Sequence, residues 1–344
     1  MTTSSDQRAA LRLQRLFSGA LPDGETSSEA TAEVLVLPGA GPDPLRDLAL
    51  DPSSLVVAPE DAGVRPEHVG GAEVLTYEGG VGAEDDLLLD GGLVVSVQPY
   101  AAAAFMPVTC PTLVSVTAPE DFEAYVEDAD AAVALGAFPD ALLHPLTALG
   151  DVCALGSEHP CGTPMQTRAV VHPDDTVRPA VGGVPFPAAE PRPSACTGCL
   201  GGVAAPEDLD AARAERPWLS RYLNAVETLR LLAGRLDAPA QVSGFGMRLS
   251  ETLEPVPTEP AAAPMLVQAG EEVLVADPVS RRVLRAGPDA ARILEVVLAN
   301  DGGDPVDAVG RHLGLGGAVA RSAVAEVGRT LDELGFPLRV GEPA

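Results

Sequence analysis

The chain contains no lysine. Its 344 residues carry 22 basic side chains, and every one of them is arginine. Chemistry that needs a lysine amine, such as Schiff-base catalysis or the phosphate-binding lysine of a P-loop, is therefore excluded. Aromatic residues make up only 3% of the chain while hydrophobic residues reach 46%, so we expect cores built mainly from Ala, Val and Leu.

Positive charge is scarce as well. The formal net charge is −28, so we expect repulsion from nucleic acids and from anionic membrane surfaces. Residues 264–344 share the deficit, with eight Arg against twelve Asp and Glu, whereas a DNA-binding domain normally presents a basic face. We therefore predict neither a nucleic-acid nor a membrane partner.

Long apolar runs are missing too. No segment approaches the roughly eighteen uninterrupted apolar residues of a membrane helix, and residues 1–20 lack the apolar centre of a signal peptide. We therefore expect a cytoplasmic protein. Five cysteines in a chain of this length do not form a disulfide framework.

What the chain does contain divides it into four parts. Residues 1–30 predict a short helix and a mobile segment. Residues 31–250 alternate short apolar runs with helical patterns, which predicts an α/β domain with a mixed sheet, including a Cys-rich insert at 151–205. Residues 251–263, with three prolines, predict a semi-rigid linker before a module at 264–340. The predicted strands are 34–37, 55–58, 74–77, 87–89, 93–97 and 113–116, and the clearest helical patterns are 119–135 and 207–235.

The module at 264–340 has a distinctive order of elements. Three apolar runs at 265–268, 273–277 and 282–285 predict strands, the last two joined by a tight turn. Pro288 after Gly287, and Pro305 after Asp304, are typical helix starts because proline at the first helical position loses no hydrogen bond. A third helix, with Val324, Val327, Leu331 and Leu334 on its predicted buried side, ends at Gly335. The pattern is βββααα.

This pattern resembles the PqqD-like RiPP recognition element, a winged-helix-like module that binds leader peptides of ribosomally made natural products. The residues that carry the resemblance are 272–286, 290–300, 306–313 and 319–336. The chain as a whole is similar to the recognition proteins of daptide biosynthesis. The resemblance implies a non-catalytic protein that presents a precursor peptide to tailoring enzymes, namely an oxidative decarboxylase or dehydrogenase, an aminotransferase and a methyltransferase.

The resemblance also implies how the peptide binds. A leader would add as a strand beside the third strand of the module, in a groove against the last helix. Gly328 lies in the middle of that helix at a cost of about 1 kcal/mol relative to Ala, so we expect a packing reason for it. The arginines among the predicted peptide-binding residues have two possible roles. They would bind an acidic leader, or they only keep a strand and a helix face solvated. The predicted peptide-binding residues are Arg281, Arg282, Val283, Leu284, Arg285, Arg321, Ala325, Gly328 and Arg329.

The insert contains four cysteines, two near its start and two in a CxxC motif near its end. Cys153, Cys161, Cys196 and Cys199 would provide the four thiolates of a closed structural zinc site. His159 could replace one of these ligands, and free buried thiols and a redox CxxC are the alternatives to a zinc site. Gly201 and Gly202 after the CxxC disfavour the helix that normally follows a redox motif.

A glycine turn at 38–42 follows the first predicted strand and supports an alternative function. Its position, with the late CxxC and a recognition element, is similar to the ubiquitin-activating-like, ATP-dependent partner proteins of azole-forming pathways. However, the segment lacks a third glycine, and Pro42 and Pro44 remove N–H groups that a nucleotide phosphate would need, so a rigid turn is the other interpretation. We find no other catalytic motif in the sequence.

Overall fold

The computed structural model describes residues 13, 16–17, 33–48, 50, 52–81, 86–89, 92–156, 168–186, 197–236, 238–300 and 302–336. Of the predicted N-terminal helix and mobile segment, only Leu13, Leu16 and Phe17 lie within this part; they are helical and buried. The chain divides into two compact units. Unit 1 contains residues 1–126 and 146–215, and unit 2 contains residues 127–145 and 216–344.

Unit 1 is built on a nine-stranded mixed sheet in the order β7-β6-β5-β4-β3-β2-β1-β8-β9. The predicted α/β class and mixed sheet are confirmed, and all six predicted strands are present. Pairing is antiparallel for β3-β4, β4-β5 and β8-β9, and parallel elsewhere. The strands are β1 Glu33–Val36, β2 Leu55–Pro59, β3 Glu73–Glu78, β4 Asp86–Leu89, β5 Leu93–Pro99, β6 Thr112–Ser115, β7 Thr147–Leu149, β8 Arg168–Val171 and β9 Val177–Arg178.

Both faces of the central strands are buried, which explains their unbroken apolar sequences. Val34 and Val36 of β1 pack into one core cluster, whereas Leu35 packs into the other. The buried N-terminal residues Leu16 and Phe17 belong to the cluster around Leu35.

The sheet of unit 1 curls. Asp151 follows β7 at one end of the strand order, yet its carboxylate forms a buried ion pair with Arg168, which begins β8 near the other end. Arg168 also donates to the carbonyl oxygens of Pro179 (2.7 Å), Leu16 (3.0 Å) and Phe17 (2.8 Å). The guanidinium thus provides donors to three buried backbone carbonyls, of which that of Phe17 also accepts from the N–H of Asp151 at 3.0 Å.

Two helical patterns of the sequence can be compared with the described helices. One pattern matches a single helix at both ends, and the other covers two helices. The pattern at 119–135 is α2, although Tyr125 rather than Phe122 is its fully buried aromatic residue. The pattern at 207–235 is two helices, because Pro217 disfavours helical backbone at Arg216. None of the helices in the described chain has both the length and the apolarity that a membrane crossing requires. They are α1 Tyr100–Ala103, α2 Pro119–Leu135, α3 Asp140–Leu143, α4 Val152–Gly156, α5 Thr197–Leu200, α6 Pro206–Glu215, α7 Leu219–Leu232, α8 Pro288–Leu298, α9 Pro305–Leu313 and α10 Gly317–Glu333.

Unit 2 contains a separate antiparallel sheet in the order β10-β11-β12-β13, followed by α8, α9 and α10. Three of its strands and all three helices were predicted; the strand β10 was not. Val273 and Val275 share a core cluster with Leu294 and Leu331, so helices cover one face of the sheet. On the other face, Met265 contacts Thr228 of α7. The strands are β10 Ala240–Val242, β11 Met265–Ala269, β12 Glu272–Ala276 and β13 Val283–Ala286.

The end of the segment 251–263, predicted as a linker, is bound by side chains of α7. Arg221 is buried on that helix and donates to the carbonyl oxygens of Pro260 (3.0 Å) and Ala263 (3.1 Å). Asn224 donates to the carbonyl oxygen of Ala261 at 2.8 Å. The division between the two units does not fall at this segment, because residues 216–344 belong to one unit.

Candidate peptide-binding edge

The strand β13 is an edge of its sheet. Among the described strands, only β12 pairs with it. The N–H of Asp277 donates to the carbonyl oxygen of Arg282 (2.9 Å) directly opposite, which makes that pair a hydrogen-bonded one. Because such pairs alternate along an antiparallel ladder, the N–H and C=O groups of Val283 and Arg285 face away from β12. These main-chain groups are the ones that an added strand would use.

The side chains of β13 alternate between two environments. Leu284 and Ala286 pack against the core cluster that includes Leu331 of α10 and Phe336. Arg285 points to the other face, where it forms an ion pair of 3.0 Å with Glu272 of the neighbouring strand. The last helix therefore lies on the same side of the sheet as Leu284, as the predicted groove requires.

Arg282 is engaged within the protein. Its guanidinium donates to the carbonyl oxygens of Leu334 and Gly335, both at 2.7 Å. These carbonyls lie at the carboxyl end of α10, where helices leave such groups without intrahelical partners. Arg282 was predicted as a peptide contact; in the structure it connects the beginning of β13 to the end of the last helix.

Arg281 lies in the hairpin turn between β12 and β13 with a φ of 54°, in the left-handed region. Asp277, which is buried, organises this turn by accepting hydrogen bonds from the N–H groups of Val279 and Ser280 (both 3.2 Å) and from the Ser280 hydroxyl (2.6 Å). The turn therefore determines where the free edge begins. The alternating apolar pattern indicated the hairpin, but it gave no sign of this role of Asp277.

The predicted stripe on α10 is open. Arg321 and Ala325 are exposed, and a Cβ added to Gly328 would meet nothing within 4 Å. The expected packing reason for Gly328 is therefore not found among the described residues, and none of them fills the space beside it. Arg329 forms a surface ion pair of 2.8 Å with Glu333. Leu334, predicted to be buried, is 45% exposed, so that part of the predicted apolar stripe is wrong.

Two carboxylates position the segments around this module. Glu295 of α8, fully buried, accepts hydrogen bonds from the Ser243 hydroxyl (2.5 Å) and from the N–H groups of Leu249 (2.8 Å) and Ser250 (2.7 Å). Glu259 pairs with Arg248 and lies 3.5 Å from Arg221. Burial would raise the pKa of Glu259, but Arg221 and Arg248 outweigh it and hold the pKa below its usual value. The sequence offered no signal for either carboxylate, because several of their partners lie far along the chain.

The predicted zinc ligands are only partly within the described residues. Cys161 and Cys196 lie outside them, and of Cys153 only the place in α4 is described. Cys199 of α5 is buried, with its Sγ 3.8 Å from Nη2 of Arg168. The helices α4 and α5 contact each other. Within the described part of the chain, no group of three metal-binding side chains occurs.

The glycine turn lies at the carboxyl end of β1, between β2 and β8, where nucleotide sites of α/β folds are found. Here the N–H of Gly41 donates to the Asp175 carboxylate at 2.8 Å, and a Cβ on Gly41 would lie 2.8 Å from the same oxygen. The helical turn that follows, Asp43–Arg46, has only four residues. A carboxylate of the protein therefore occupies the N–H group that a phosphate would need.

Comparisons of the chain with models of protein families, with curated proteins and with solved structures give no match.

Proposed function

We propose that this protein is a non-catalytic recognition protein for the leader of a ribosomally made precursor peptide, as in daptide-like biosynthesis, and that the leader adds as a strand to β13. The observation that carries the proposal is the edge of β13, which no described strand covers on its outer side and which lies on the same side of the sheet as α10. Main-chain bonds to Val283 and Arg285 would provide affinity, and side-chain pockets would provide specificity.

The finer fold assignment belongs to the same proposal. The order of three strands and three helices after residue 264 supports a PqqD-like, winged-helix-like module. In unit 2 this module carries additions that include the strand β10 and the helix α7. Because Glu295 and Arg221 tie these additions to the module, binding experiments require the full chain and not residues 264–344 alone.

The proposed partners are the leader peptide and the separate tailoring enzymes to which it is presented: a decarboxylase or dehydrogenase, an aminotransferase and a methyltransferase. The strongly negative charge supports the absence of nucleic-acid and membrane partners. We also propose a cytoplasmic location. Cys153 and Cys199 lie on contacting helices, which favours the structural zinc site as a further proposal.

The test is a titration of the full-length protein with the leader of a short precursor encoded beside its gene, followed by fluorescence anisotropy. We expect micromolar or tighter binding, and no binding at high micromolar leader would contradict the proposal. The alternative, an ATP-dependent ubiquitin-activating-like partner protein, predicts nucleotide binding with turnover. The Asp175 carboxylate at the glycine turn argues against it.

A further inference from the structure

We infer that β13 selects its peptide at two adjacent positions, an apolar residue opposite Leu284 and an acidic residue opposite Arg285. The inference rests on the proposed function, because it takes β13 as the edge to which the peptide adds. It names the class of ligand: an extended segment in which an apolar residue stands directly beside an acid.

The edge of β13 offers few main-chain hydrogen bonds, and such bonds do not distinguish one peptide sequence from another. Only Val283 and Arg285 direct their N–H and C=O groups outwards within the strand. On one side the edge ends at Arg281, whose φ of 54° turns the chain away, and on the other at Pro288, which has no N–H and begins α8. Main-chain hydrogen bonds are also the same for every sequence except proline. Side chains that face the added strand must therefore distinguish one peptide from another.

Leu284 defines the apolar position. Residues directly opposite each other in neighbouring strands project to the same face, and their side chains are closest in the pairs without hydrogen bonds. Leu284 would form such a pair with a peptide strand that adds antiparallel to β13. It is only partly buried and packs against the cluster that includes Leu331 and Phe336. An apolar peptide side chain opposite Leu284 would extend that cluster and cover its exposed part.

Arg285 defines the acidic position. Its side chain is 78% exposed and lies 3.0 Å from Glu272, which belongs to the next strand inwards. Because β13 would lie between β12 and the peptide, Arg285 would stand between Glu272 and the new strand. An exposed ion pair contributes little and leaves the other N–H groups of the guanidinium available. A peptide carboxylate opposite Arg285 would therefore add a second partner on the side that the peptide occupies.

The inference can be tested without knowing the natural ligand. A phage-displayed random peptide library is selected on immobilised full-length protein and sequenced. We expect enriched peptides to carry Asp or Glu directly beside an apolar residue. With Arg285→Glu the preference for the acid should disappear or turn to a basic residue, and peptides selected on the unchanged protein should bind roughly two- to fivefold more weakly. Arg292→Glu, at an exposed position of α8, is the matched control and should change neither.

A second variant separates failure of this inference from failure of the proposed function. Val283→Pro removes an N–H that faces the added strand and spares the ladder to β12, because proline is tolerated on a free edge. Peptides that bind Val283→Pro and the unchanged protein equally well, or a library without any enriched peptide, contradict the proposed function and the inference together. Peptides that need Val283 but ignore Arg285→Glu contradict the inference alone.

Discussion

The guanidinium of Arg282 donates a hydrogen bond of 2.7 Å to the carbonyl oxygen of Gly335. A second bond of the same length goes to Leu334, so one side chain joins the beginning of the edge strand to the end of the last helix. This connection lies at one end of the proposed groove between β13 and α10. Arg282 is thus a positioning residue for the proposed site.

We expect Arg282→Ala to destabilise unit 2 by about 1 kcal/mol, because two charge-assisted but exposed hydrogen bonds are lost. The single tryptophan, Trp218, lies in unit 2, so its fluorescence during urea unfolding reports on this unit. Arg292→Ala is the matched control and should leave the unfolding midpoint unchanged. Equal midpoints for Arg282→Ala and the unchanged protein would show that the connection does not stabilise the helix end.

Glu295→Ala should destabilise unit 2 by about 3 kcal/mol. The substitution leaves three donors without their acceptor: the Ser243 hydroxyl and the N–H of Ser250, which are buried, and the partly buried N–H of Leu249. The measurement is again urea unfolding followed by Trp218. Glu326→Ala, on an exposed position of α10, serves as the control. A loss no greater than that of the control would mean that the segment 243–250 is held by other contacts.

Acidification should weaken unit 2 through Glu259. Its folded-state pKa is lowered by Arg221 and Arg248 against the opposing effect of burial, so its contribution to the free energy of unfolding is complete above the ordinary pKa of 4.5 and is lost as pH falls through the folded-state value. Glu259→Gln lacks this contribution. We therefore expect the difference in melting temperature between the unchanged protein and Glu259→Gln to be largest near neutral pH and to shrink below pH 4.5. A difference in melting temperature that stays constant with pH would contradict the lowered folded-state pKa of Glu259.

The proposed zinc site predicts a stoichiometric metal. Protein purified without chelators should contain about one zinc ion per chain by elemental analysis, and Cys199→Ser should reduce that content because a closed site needs all four thiolates. Cys110→Ser, outside the predicted set, should retain the metal. Zinc-free protein, or equal zinc in both variants, would favour free thiols instead.

The sequence predicts the elements of this protein better than the way they are held together. Apolar periodicity and proline placement are local signals, so they could predict individual elements. The structure confirms the predicted strands around Val34, Val56 and Val114 and the helix that begins at Pro119. The pairing of Arg168 with Asp151 joins distant parts of the curled sheet, and no local pattern indicates it. The sequence likewise did not indicate that the predicted linker is bound within unit 2, because Arg221, which donates to the carbonyl oxygen of Pro260, lies 39 residues earlier in the chain.

The same distinction applies to the candidate site. The run of arginines around β13 indicated a charged edge, but the sequence could not show that Arg282 binds the end of α10 while Arg285 pairs with Glu272. Both partners are brought close only by tertiary structure. The openness beside Gly328 likewise depends on how α10 packs, so a glycine in mid-helix could not distinguish close packing from free space.

The most direct test of the central claim is amide hydrogen exchange at β13, measured by NMR on the full-length protein with and without the leader peptide. We predict that the N–H groups of Val283 and Arg285 become protected when the leader is added, because both face the added strand. The N–H of Leu284, which faces Val275 of β12, should keep its own rate. Leader binding with unchanged exchange at Val283 and Arg285 would contradict strand addition at this edge.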